Sequence, residues 1–67
     1  MIDNYALKIA QEKQKMYKTF TLPEIVLCLD FEYGIKSNED EVYDVLCNYG
    51  LKRIHGDSYH EYYALKG

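Results

Sequence analysis

The stretch "FTLPEIVLCLDFEYG", Phe20 to Gly34, carries both of its own ends and therefore limits the folds open to this chain. Thr21 followed three residues later by Glu24 is a capping-box pattern, and Pro23 falls in the first turn, where its missing N–H does no harm. Phe20, just before the cap, and Ile25, at the fourth helical position, are spaced as a hydrophobic staple. Ile25, Cys28 and Leu29 continue one stripe toward Glu32 or Tyr33, and Val26 and Phe31 widen it. Gly34 then fits the left-handed stop. A helix so punctuated, near the middle of 67 residues, leaves room for one short element before it and two or three after it. The chain reads as a single domain, residues 1–67, close to the lower size at which a core can form.

The flanks fill in readily. Ile2, Ala6, Ile9, Ala10, Lys13 and Met16 recur at helical spacing and predict a first helix from about Asp3 to Tyr17, with Asp3 or Asn4 as its cap. After Gly34, Ser37 or Asn38 can cap a third helix whose stripe is Val42, Val45, Leu46 and Tyr49, closed by Gly50. "LKRI" and "YHEYYAL", separated by "HGDS", predict a terminal hairpin. Tyr59, Tyr63 and Leu65 alternate there with Tyr62 and Ala64, so the inward face stays open.

That order is an α+β fold of three helices followed by a β-hairpin. Two stretches make it resemble a winged helix-turn-helix: "YGIKSNED", a turn between helices, and "LCNYGLKRI", a helix that ends at Gly and runs directly into a strand. The resemblance spans nearly the whole chain. It also places Phe20 and Thr21 where such domains form a short extra strand, and it implies that the third helix should enter the DNA major groove.

The charges oppose that implication. Residues 24–44 hold seven acids against Lys36 alone, whereas residues 1–20 and 51–67 are each slightly basic. Glu39, Asp40, Glu41 and Asp44 crowd the start of the third helix without a cation among them, and a phosphate backbone attracts proteins through Lys and Arg. Carboxylates in a first turn also support their own helix, which is the simplest reason for their presence. Beyond that, they suit an acidic docking face for a basic protein or for a nucleic-acid-binding protein. Asp30 and Glu32 are candidate neighbours of this face, and Tyr43 its aromatic anchor.

The leading expectation is thus a small acidic protein-binding module. By size and charge it resembles phage- or mobile-element-encoded accessory proteins, including anti-CRISPR-like inhibitors of nucleic-acid machinery. The alternative is a winged-helix transcriptional regulator that meets DNA with Lys13, Lys15 and Lys18 of the first helix and Lys52, Arg53 and His55 of the wing. A hairpin edge able to pair with a second copy makes a homodimer a third expectation.

Catalysis is not expected. No glycine-rich phosphate loop or metal signature occurs, and Cys28 and Cys47 lie on core stripes, which predicts buried, reduced thiols and neither a disulfide nor a metal site. No cofactor is expected. No signal peptide or membrane-length apolar run is visible, so the sequence predicts a soluble, cytoplasmic protein.

Overall fold

The computed structural model describes residues 2–66. Three helices, α1 (Asp3–Tyr17), α2 (Leu22–Tyr33) and α3 (Glu39–Cys47), are followed by strands β1 (Leu51–Gly56) and β2 (Glu61–Leu65). The α+β order expected from the sequence is the one observed.

One core joins all five elements. Ala6, Ile9 and Ala10 of α1 meet Ile25 and Leu29 of α2 and Val42 and Leu46 of α3, with Phe20 sealed between them. The two alanines lie one turn apart on α1 and keep that face flat, so both other helices can approach closely.

The ends of α2 follow the sequence. The Glu24 carboxylate accepts from the Thr21 backbone N–H at 2.7 Å and from its hydroxyl at 3.0 Å, Phe20 and Ile25 are both buried, and Pro23 sits in the first turn. At the far end Gly34 takes φ 66° and its N–H donates to the Asp30 carbonyl, while Ile35 N–H reaches back to Leu29. On α3 the cap is Asn38, whose side chain accepts from Glu41 N–H at 2.9 Å.

Other ends differ from expectation. Helix α1 is preceded by Ile2, with no side-chain cap bond from Asp3 or Asn4, because both residues lie inside the first turn. Met16 is 70% exposed and Phe31 85% exposed, so neither extends the core stripe. Met16 lies in the last turn of α1, while the buried residues of that helix end at Ala10. Phe31 lies about 200° around α2 from Leu29 and so points away from it. Helix α3 stops at Cys47, two residues before Tyr49, which is exposed.

Gly50 sits at φ 84° between α3 and β1, and a Cβ there would come within 3.0 Å of the Lys66 Cβ. Glycine is therefore needed both for the turn and for the bond from Lys66 N–H to the Gly50 carbonyl, 2.8 Å. Strands β1 and β2 pair antiparallel, Leu51 opposite Leu65 and Arg53 opposite Tyr63, with a bulge between Arg53 and His55 that sets His55 opposite Tyr62. Leu51, Tyr63 and Leu65 pack half-buried against the core, while Ala64, on the other face of β2, is that strand's one buried residue, so both faces are partly covered. The turn lies two residues later than "HGDS". The Asp57 carboxylate accepts from Tyr59 and His60 N–H at 2.8 and 2.7 Å and draws both residues out of the strand. Phe20 exchanges backbone hydrogen bonds with Tyr63, at 2.9 and 2.8 Å, so the expected extra strand is a single bridge on the free side of β2. Among the described residues no helix is long and apolar enough to cross a membrane.

Candidate functional site

Val42 and Leu46, both fully buried, fix the rotation of α3 and leave Glu39, Asp40, Glu41 and Asp44 exposed. Among the described residues no cation lies within ion-pair distance of any of the four, nor of exposed Glu32. The other acids of the central segment are spoken for. Glu24 faces Lys13 at 3.8 Å, and Asp30 holds Lys36 at 3.0 Å. Asp30 therefore brings little net charge to the face on which the sequence placed it. Of the 24–44 segment, the uncompensated charge resides chiefly on α3.

Tyr43 is half exposed. Its ring meets the edge of Tyr63 at 6.2 Å and 74°, so one flank holds the hairpin while the other faces outward. Cys47, one turn further on, raises the Tyr43 phenol above its ordinary value through charge and a hydrogen bond. Cys47 is exposed and Cys28 half-buried, and both thiols are free. The sequence had both on core stripes; Cys47 is one residue past Leu46, hence about 100° off the buried line. Burial, ahead of the opposing pull of Lys13, raises the Cys28 thiol. Among the described residues no group of three or more His, Cys, Asp or Glu is arranged to hold a metal ion.

A groove of about 300 Å³ opens beside the start of α3. Its lining includes the apolar Leu22, Pro23 and Tyr63 and the polar Glu39, Tyr59 and Glu61. Glu61 is already bound to Arg53 at 2.8 Å, whereas Glu39 has no ion partner among the described residues. This groove was not visible in the sequence, because it forms only where α2, α3 and the hairpin tip converge.

The basic residues of the alternative reading divide in two. Lys13 is tied to Glu24 and lies over the Tyr17 ring at 5.9 Å, Arg53 is tied to Glu61, and His55 stacks on Tyr62 at 4.5 Å. Lys15, Lys18 and Lys52 are exposed and make no ion pair among the described residues. Lys15 belongs to a second, larger groove with Gln11, Tyr49 and Lys66. Comparison with family models, with curated proteins and with solved structures found no match for this chain.

Proposed function

We propose that this protein is a non-enzymatic binding module whose α3 face docks onto a basic surface of another protein. The observation that carries this reading is the contrast within one segment: Glu24 and Asp30 are neutralised internally, while Glu39, Asp40, Glu41 and Asp44 are exposed without a cation. If the domain is winged-helix-like, the helix that would enter a DNA groove is the one that repels phosphate. A channel built to hold phosphates is itself cationic, so an inhibitor of nucleic-acid machinery, of the kind mobile elements encode, is a fitting role for such a face.

The test pairs a pulldown from host lysate with a duplex-DNA mobility shift, using wild type and the triple variant E39K/D40K/E41K. The expected result is capture that disappears in the variant and in high salt, with an unchanged helical circular dichroism spectrum. Equal capture by the variant overturns the proposal. Duplex binding that weakens steeply with salt would favour the lysine-based DNA reading instead.

A further inference from the structure

We propose that the acidic end of α3 is one terminus of a longer docking track, continued by the groove and by the outer side of α2, and that its occupant is a cationic amphipathic helix. Pro23, in the groove lining, is followed at helical spacing by Leu27 and Phe31. These three positions fall on one side of α2, about 12 Å from first to last at 1.5 Å per residue. Leu27 is 56% and Phe31 85% exposed, although both belong to a well-formed helix whose opposite side carries the fully buried Ile25 and Leu29. Two large apolar side chains one turn apart and facing water gain nothing for the isolated fold. They are the pattern into which a partner helix sets its own i, i+4 residues.

Charge selects among occupants. The groove end of the track bears Glu39, and Glu32 follows Phe31 on the same helix; neither has an ion partner among the described residues. In a two-fold contact with a second copy the two tracks run antiparallel, so the Glu39 end of each would meet the Glu32 end of the other, carboxylate against carboxylate. An anionic lipid surface would be repelled in the same way. A partner helix with an apolar stripe and lysines or arginines along its margins satisfies both features. Of the two carboxylates that line the groove, Glu61 is already paired with Arg53, which leaves Glu39 for an incoming cation. This inference rests on the reading of α3 given above and names the kind of partner.

The probe is a synthetic 18-residue peptide of leucine and lysine with leucines at i, i+4 spacing. Its controls are a scrambled peptide of identical composition and a leucine–glutamate counterpart. Binding is followed by calorimetry, and the contact surface by amide chemical shifts. Wild type should bind the first peptide, with shifts running from Glu39 through Leu27 to Phe31, and should bind the scrambled one at least about tenfold more weakly. L27A and F31A should each weaken binding by about tenfold while the thermal midpoint stays put, because both side chains are exposed. If E39K/E41K abolishes binding while L27A and F31A leave it intact, the track is wrong and the α3 reading survives. The converse pattern sinks the α3 reading and keeps the apolar track. Failure of wild type to bind the striped peptide, binding to anionic vesicles, or a wild-type dimer that F31A dissociates each overturns the proposal.

Discussion

Gln14 of α1 hydrogen-bonds both backbone groups of Leu65: its amide nitrogen donates to the carbonyl at 3.1 Å and its amide oxygen accepts from the N–H at 2.6 Å. The side chain thus takes the place of a neighbouring strand and ties the end of β2 to the first helix, 51 residues away in sequence. Replacing Gln14 with leucine preserves bulk but strands two half-buried polar groups. We expect Q14L to lose about 1–3 kcal/mol in urea denaturation and to speed hydrogen exchange at the Leu65 amide ahead of the helices. Unaltered exchange at Leu65 would show that the anchor is idle.

Phe20 should be the least replaceable side chain. It is 1% exposed, staples the start of α2 and bridges β2 through its backbone. Truncation to alanine leaves a cavity costing about 3–5 kcal/mol, comparable to the whole stability of many small domains. F20A should be largely unfolded at 37 °C by circular dichroism, while F20L should remain folded with a lowered midpoint. A folded, cooperative F20A would mean that the core is centred elsewhere.

The hairpin tip should be acid-sensitive. The backbone N–H groups of His60 and then Tyr59 hold the Asp57 carboxyl below its ordinary value. A carboxyl depressed in the folded state favours folding above its unfolded pKa, about 4, and loses that contribution as pH falls through the folded value. D57N retains an acceptor but cannot titrate. Between pH 5 and 2 the Tyr59 and His60 amides of wild type should lose protection more steeply than those of D57N; parallel curves would remove Asp57 as the cause.

The two thiols should separate by reactivity. Cys47 is exposed, whereas Cys28 is half-buried with its thiol raised by burial. Iodoacetamide at pH 8 should alkylate Cys47 at least about tenfold faster than Cys28, and urea should erase the difference. Equal rates without denaturant would show that α1 and α2 open readily around Cys28.

The elements that were legible in the sequence carry chemistry at their own ends: Thr21, Glu24 and Gly34 around α2, Asn38 before α3, and Gly50 before β1. Such signals act within a few residues, so no alignment is needed to read them. What escaped depends on where the neighbouring element stops. Helical spacing put Met16 on a stripe but could not reveal that the buried part of α1 ends before it. Phe31 and Cys47 are apolar in type, which suggests burial, but their angular positions on the helices turn both outward. The acidic face was readable because Glu39, Asp40, Glu41 and Asp44 are contiguous in the chain. The pairing of Asp30 with Lys36 was not, since it depends on how the loop after Gly34 folds back. The groove beside Glu39 needs three separate segments to meet and leaves no local trace.

The bridge from Phe20 to Tyr63 has one more effect: it occupies the side of β2 that faces away from β1. Any added strand must therefore attach along Leu51–Gly56, where the irregularity between Arg53 and His55 breaks the ladder halfway and exposed Lys52 places positive charge. A sheet with one side plugged and the other kinked and charged is a poor template for its own kind, so crowding should not drive these molecules into fibrils.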